Sequence, residues 1–422
     1  MHVLMLSHSD TGGGAAIAAR RLQQGLRIHG VDVRMLVRRR SRSDETVLET
    51  SRLASRFLDK TRFAIDKLPL LAYPDRDSTP FSPQWLPDGL ERRIARLRPD
   101  VVHLHWIGHG YMHPETLSRL KRPIVWTLHD VWPFTGGCHV NLGCTRYEER
   151  CGACPRLGST RDQDLSRAGW QRKHDAWKDV HLTVVAPSTW MADSARRSSL
   201  FRDKRVEVIH NGLDTQTFRP VDKMRARSIL ELPRDKSLVL FATASGRRVP
   251  HKGLDLLESA LNVLHADSIR QERLELVLAG PSKTAGTVRS GFSTHPVGSI
   301  QDEEKMAALY AAVDVTVVLS RQESLSQVAV ESMACGTPVV AFDATGLPDV
   351  VDHRENGYLA RPFDPEDLAH GIAWVIEDAD RYRILCEAAR SKAVLAFDLG
   401  QQAGRYNALF REMPAMQGTY SA

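Results

Sequence analysis

Two glutamates, Glu323 and Glu331, stand eight residues apart in a stretch that leaves one apolar run, Val313–Leu319, and enters another, Val339–Phe342. Carboxylates placed there sit at the carboxyl edge of a parallel sheet, where open α/β folds bind ligands. Taken with the rest of the chain, the two do not make an acid–base pair. Eight residues is about two helical turns, so on one helix both would share a face. Gly336 suits the left-handed residue that closes a helix, and Pro338 leads out of it. The plain alternative is a capped helix carrying one exposed glutamate.

A second chemistry is anion binding. Arg247 and Lys252 flank a small glycine-bearing loop, 246–253, after the apolar run Leu238–Ala242. Two cations there suit a diphosphate, since at ~4 Å each contact is worth on the order of 4 kcal/mol when partly shielded from water. Solvated surface charge is the other reading. Gly12, Gly13 and Gly14 lie between the strand His2–Leu6 and the helix Ala15–Ile28. Backbone amides at a helix start point at anions, and glycines admit them; a tight turn is the alternative. The spacing is not G-x-G-x-x-G, so no dinucleotide fingerprint is present.

Histidines and cysteines make the third set. His129 follows the strand Ile124–Leu128 and falls at the ligand edge. His103 and His105 share a face of the strand Val101–Trp106, with His109 beyond, and read first as packed or hydrogen-bonded side chains. Cys138, Cys144, Cys151 and Cys154 hold four of the six cysteines in a C-x5-C-x6-C-x2-C pattern. Four thiolates can make a tetrahedral structural zinc site, and they leave no open position for catalysis. Free or redox-active thiols and disulfides are the alternatives.

The elements that must position these groups alternate strand and helix twice, over 1–215 and again from 238. That pattern predicts two doubly wound α/β domains joined by a helix over 220–235, with a final helix over 398–413. Residues 43–90 carry the least pattern. At 422 residues, 42% hydrophobic and 26% charged, the chain reads as a globular protein. No apolar run reaches the ~18 residues of a membrane span, and the first residues read as a strand and not as a signal peptide. A cytoplasmic location is expected. The net charge of +6 suits anionic ligands or an anionic membrane surface, and no nucleic-acid-binding motif is present. Arg38, Arg39, Arg40 and Arg42, with the amphipathic segment 52–68, are either solvated or a peripheral contact with acidic lipid head groups at the inner face of the membrane.

Four landmarks fall in order: Gly12–Gly14, the turn Ile209–Pro220 around His210, Asn211 and Gly212, the loop 246–253, and Glu323-x7-Glu331 closing in Ala334-Cys335-Gly336-Thr337-Pro338. Together they resemble the retaining glycosyltransferases of family 4, over nearly the whole chain. The N-terminal half, through Val102–Trp106, Leu128–His139 and the cysteine group, is similar to the branch that builds exopolysaccharides such as colanic acid.

The resemblance implies the GT-B fold, with two Rossmann-like doubly wound domains facing a central cleft. It implies an acceptor domain over 1–217 with a cysteine-rich insert at about 136–156, a donor domain over 218–395, and a C-terminal helix over 396–422 crossing back to the first domain. It implies a hexosyltransferase that takes a nucleoside-diphosphate sugar to a glycan, lipid-linked or small-glycoside acceptor, by a metal-independent front-face route. Arg247 and Lys252 would hold the diphosphate, Glu331 the ribose, and Glu323 the transferred sugar. The backbone at Ser324, Leu325 and Ser326 would cap phosphate and sugar; the family's run ends in glycine where this chain has Ser326. His129 would face the donor sugar, and Gly12 and Gly13 the phosphates and acceptor. A nucleotide-sugar epimerase or glycosyl phosphorylase on the same plan is the enzymatic alternative. A non-enzymatic interaction protein built on the cysteine group is the other.

Overall fold

Runs of Val, Ile and Leu without polar alternation form strands buried on both faces, as parallel sheets require. The computed structural model describes residues 1–50, 56–243, 250–266, 272–280, 288 and 291–413. Arg247 and Gly246 lie outside the described residues. The chain divides into two compact units, one of Met1–Gly212 with the C-terminal segment from Gly400, the other of Leu213–Leu399.

The first unit holds β1 (His2–Ser9), β2 (Asp32–Arg39), β3 (Val47–Glu49), β4 (Val101–Leu104), β5 (Ile124–Thr127), β6 (Leu182–Ala186) and β7 (Arg205–Val208). They form one sheet in the order β3-β2-β1-β4-β5-β6-β7, and every pairing is parallel. The order reverses between β1 and β4, so the crevice for a ligand opens beyond their carboxyl ends. On one face Leu4, Leu6, Trp126, Trp132, Trp177 and Phe201 pack together. On the other, Val3, Met5, Val33 and Met35 meet Tyr406 and Phe410 of the C-terminal helix Leu399–Glu412. Tyr406 OH lies 2.7 Å from Thr127 Oγ1 of β5. The last helix is thus part of the first unit's core.

The second unit holds β8 (Ser237–Ala242), β9 (Leu274–Ala279), β10 (Thr294–Gly298), β11 (Val315–Val318), β12 (Val339–Phe342) and β13 (Gly357–Ala360). Their order is β10-β9-β8-β11-β12-β13, again all parallel. The reversal falls between β8 and β11. The loop after β8 leads to Lys252, and the turn after β11 carries Glu323.

Several expectations change. The joining helix is short, Lys223–Ile229, because the Asp222 side chain accepts from Arg225 N and starts it late. The helix Arg56–Asp66 occupies part of 52–68, and 51–55 lie outside the described residues. A long helix, Ala379–Phe397, precedes the last one. Arg38 is not solvated: it is buried and donates to His109 O at 3.0 Å. Arg39, Arg40 and Arg42 are exposed. No described helix is long and apolar enough to cross a membrane.

The docked helix sets a stability test. Phe410, buried at 2% exposure, should cost ~3–5 kcal/mol when replaced by alanine. Tyr406→Phe, which removes only the hydroxyl, should cost about 1 kcal/mol. Denaturant midpoints check both, and equal losses would contradict this packing.

Candidate functional site

Lys252 and Glu323 meet at the switch point of the second sheet, though 71 residues separate them. The Lys252 ammonium pairs with Glu323 Oε1, and Ser320 Oγ donates to the same oxygen at 2.7 Å. Backbone packing sets the meeting. Gly253 has φ +75°, and a Cβ there would stand 2.0 Å from Leu319 O, so the Lys252 turn is pressed onto the end of β11. Gly346 donates its N–H to Glu323 O at 3.0 Å. A Cβ at Gly346 would fall 2.2 Å from Ser324 O. Thr345 Oγ1 accepts from Glu323 N at 3.1 Å. Burial pushes the Glu323 carboxyl up, but Lys252 and Ser320 outweigh it and hold the group below its ordinary range.

The helix after this turn spans Gln327–Ala334. Ser326 is its N-cap, with Oγ accepting from Ala329 N at 3.3 Å. Serine in place of the family's glycine therefore has a local use. At the other end Gly336 has φ +77°, Gly336 N–H reaches Met333 O at 2.9 Å, and Thr337 N–H reaches Ser332 O at 3.0 Å. This is the Schellman closure that Gly336 predicts. Leu325 is buried in the core below and pins the turn. Glu331 is also buried, and its Oε2 accepts from Tyr310 OH at 2.8 Å. The shared-face expectation fails, because the helix begins four residues after Glu323. The two carboxylates have separate partners and make no acid–base pair in this arrangement.

Sequence reasoning missed the frame around the pair. Arg321 grips Asp255 through two bonds of 2.9 and 2.6 Å, and its N–H donates to His251 O at 2.7 Å. These contacts tie the Lys252 loop to the Glu323 turn. The only local signal was a polar run, Ser320-Arg321-Gln322, after a buried strand.

In the first unit Gly12 and Gly13 have φ +80° and +86°, with open space where a Cβ would stand. Glycine is required there by the backbone conformation and not by crowding. Gly13 caps the helix Gly14–Ile28 without a side-chain hydrogen bond. Asp10, unremarked in the sequence, is buried and accepts from Ser41 N and Arg42 N at 3.0 Å each. It ties the glycine loop to the end of β2.

His129 is half-buried just past β5, as expected. Its Nε2 lies 2.9 Å from His105 Nδ1, and His103 Nε2 lies 2.8 Å from Thr127 Oγ1. Burial lowers His129 to about 4 and His103 to about 3, so both are neutral at pH 7. Asp130 organises the turn. It accepts from Trp106 Nε1 at 2.5 Å, from His139 Nδ1 at 2.6 Å and from Trp132 N at 2.9 Å. Burial raises this carboxyl, but His139 and the donors prevail and lower it. His139 Nε2 in turn lies 2.7 Å from Ser82 Oγ. Both Ser82 and His139 are buried, so this chain of bonds is a brace.

Cys138, Cys144, Cys151 and Cys154 line one cavity and are free thiols. As the side chains stand, no group of three or more His, Cys, Asp or Glu among the described residues is gathered to hold a metal ion. Asp-x-Asp pairs, the usual carboxylate motif for a divalent cation, occur at 75/77, 162/164 and 378/380. Asp164 and Asp378 are helix caps, Asp77 pairs with Arg156 and Asp162 with Arg167. Each pair thus has a member in structural use.

Residues 12–217 match the family model described as Glycosyltransferase Family 4, and residues 222–392 match the one described as Glycosyl transferases group 1. Among curated proteins, a D-inositol 3-phosphate glycosyltransferase of Streptosporangium roseum is 37% identical over 181 residues, covering 40% of this chain and 41% of that one. The match thus spans less than half the length of that relative. Among solved structures, sucrose-phosphate synthase of Thermosynechococcus elongatus superposes with a TM-score of 0.70 at 23% identity, covering 97% of this chain and 98% of that one. Anabaena Alr3699/HepE in complex with UDP and glucose gives 0.65 at 17% identity, covering 97% and 99%.

The lowered histidines predict a pH dependence. Unfolded imidazoles take protons near pH ~6.5, whereas these do so at about 4 and about 3. Their contribution is therefore full above ~6.5 and is lost as the pH falls toward those values. Denaturant midpoints should drop across that window, and less steeply in His103→Gln. An unchanged slope would count against burial as the cause.

Proposed function

The chain belongs to the family 4 glycosyltransferases and has their GT-B fold, and from that premise we propose that it moves a hexose, with retention, from a nucleoside-diphosphate sugar to a hydroxyl of a glycan, lipid-linked or small-glycoside acceptor. The observation that carries this reading is the Lys252–Glu323 pair at the switch point of the second sheet. UDP and glucose bound to the Anabaena protein support the donor class. The unit Leu213–Leu399 is assigned the donor, and the unit with His129, Gly12 and Gly13 the acceptor.

The proposed chemistry follows from charge. Without donor, Glu323 balances Lys252. A bound diphosphate takes over the ammonium and leaves the Glu323 carboxylate for a sugar hydroxyl. As the nucleoside diphosphate departs it gains negative charge, met by Lys252, by Arg247 and by the amides at the start of the helix Gln327–Ala334. The leaving phosphate accepts the acceptor's proton on the same face, so no metal and no covalent nucleophile are required. Glu331 binds the ribose, exchanging or sharing its bond from Tyr310. Neutral His129 serves as a hydrogen-bond partner of the sugar and not as an acid.

A peripheral contact with anionic membrane is assigned to the first unit's surface. Phe63, Leu68 and Leu71 are exposed there, at 37%, 51% and 73%. Lys67 lies 4.0 Å from the Phe63 ring centre, and Arg39, Arg40 and Arg42 are exposed in the same unit.

Two measurements test this function. Lys252→Ala should lower kcat about a hundredfold, the loss of one preorganised donor of ~3 kcal/mol. Glu331→Ala should weaken binding of the free nucleoside diphosphate about tenfold or more in calorimetry, as removal of charged hydrogen bonds does. Unchanged affinity would take Glu331 out of the ribose role. A panel of UDP-, GDP-, ADP- and dTDP-sugars in thermal shift identifies the base. For the membrane contact, Leu71→Asp should reduce co-sedimentation with phosphatidylglycerol vesicles at low salt; a wild type that stays in the supernatant overturns it.

A further inference from the structure

We propose that Cys138, Cys144, Cys151 and Cys154 take one structural zinc ion within the first unit, a role separate from glycosyl transfer. The four residues line a single cavity of about 20 Å³ together with Thr135, Gly136 and Ser166. That is room for about one water-sized occupant. The donor set is soft, and Cys151-x2-Cys154 has the knuckle spacing of structural zinc sites.

A backbone donor already reaches one of the sulfurs. Gly136 N–H donates to Cys151 Sγ at 3.2 Å. Such donors orient a metal-bound sulfur and stabilise its charge. The backbone around them is tight. A Cβ at Gly136 would stand 2.1 Å from Ser166 O and 2.9 Å from Cys151 Cβ, and one at Gly152, with φ +143°, would stand 2.4 Å from Asp162 O.

A cation lies beside the cluster. Lys173 is buried, bonds to Trp132 O and to Thr135 O, the latter at 2.9 Å, and sits 3.4 Å from the Trp132 ring centre. Burial lowers this ammonium to about 7, and Cys151, Cys138 and Asp130 act the other way. A zinc ion with four thiolates carries a net charge of about −2, which a buried ammonium partly offsets.

The thiols are not yet gathered round one point, so binding includes a closing step. Up to four S–H protons pass to solvent, the side chains turn into the cavity, and four Zn–S bonds of ~2.3 Å form. No electrons are exchanged. The ion would fasten the segment 138–154, whose His139 bonds to Asp130.

Metal content decides the matter. Full-length protein, purified with a phosphine reductant and no chelator from zinc-supplemented medium, is measured by inductively coupled plasma mass spectrometry. About one zinc per chain is expected, lost in Cys151→Ser and Cys154→Ser and kept in Cys335→Ser, whose cysteine lies in the other unit. Cobalt substitution should give the intense thiolate charge-transfer and tetrahedral d–d bands. If the inner variants fail to fold, Cys144→Ser, the least buried of the four, takes their place. The proposal is overturned by metal well below one per chain with six titratable thiols, by disulfides among the four, or by zinc that the serine variants retain. None of these outcomes bears on donor binding by the other unit.

Discussion

An ammonium and a carboxylate held together in a half-buried place are the constraint around which the second unit is arranged. Burial alone would drive the Glu323 carboxyl toward its neutral form, and Lys252 reverses that direction. The reversal depends on position, and position is supplied by backbone. Gly253 lies against Leu319 O and Gly346 against Ser324 O, both closer than any side chain permits. An alanine at Gly253 would push the Lys252 turn off the end of β11, and one at Gly346 would push the segment after β12 off the Glu323 turn, before either touched a charge. The pair is also provisional in its chemistry. It balances charge without ligand, and in the proposed function it would offer a diphosphate a partner already held in place, so less reorganisation would accompany binding.

The first unit solves the opposite problem. Its polar groups near the strand ends are histidines, and burial keeps them uncharged. They are ordered by hydrogen bonds that a neutral ring can make, His105 Nδ1 to His129 Nε2 and His103 Nε2 to Thr127 Oγ1. Asp130 bears the one charge in this group and disperses it over Trp106, His139 and Trp132. The brace reaches Ser82, in the stretch of the chain with the weakest pattern. The C-terminal helix closes the same sheet from behind, through Tyr406 on Thr127 and against the tilted ring of His103 at 5.2 Å. Residues spread over more than three hundred positions thus support a single turn.

What could be read in advance follows from this division. Strands buried on both faces announce themselves by composition, so both sheets were legible. Gly336 was legible because a left-handed residue at a helix end leaves a mark at one position. Lys252, Glu323 and His129 were legible as residues at strand ends. What was not legible is whatever depends on distant loops meeting. Ser82, Trp106 and His139 converge on Asp130 from three segments, and no local period links them. The three-residue β3 is too short to show alternation. Arg38 looked like one of a solvated run, and in the structure it is buried and donates to the His109 carbonyl. The shared face of Glu323 and Glu331 was a correct rule applied across a helix boundary, since Ser326 caps the helix between them.

Charge assignment also bears on how the proposed transfer could run without a metal. A departing nucleoside diphosphate needs positive potential at its phosphates. The Asp-x-Asp pairs that could recruit a cation each have a member committed to a helix start or an arginine. Lys252 and the start of the helix Gln327–Ala334 belong to one framework with Glu323, so they supply that potential at a fixed place. His129, kept neutral by burial, adds no competing positive charge in the unit that the proposal assigns to the acceptor, and its ring could donate to or accept from a sugar hydroxyl. Cations fixed for the leaving group and neutral rings reserved for hydroxyls is the distribution that same-face displacement requires, because the phosphate must remain basic enough to take the acceptor's proton while its departure is stabilised.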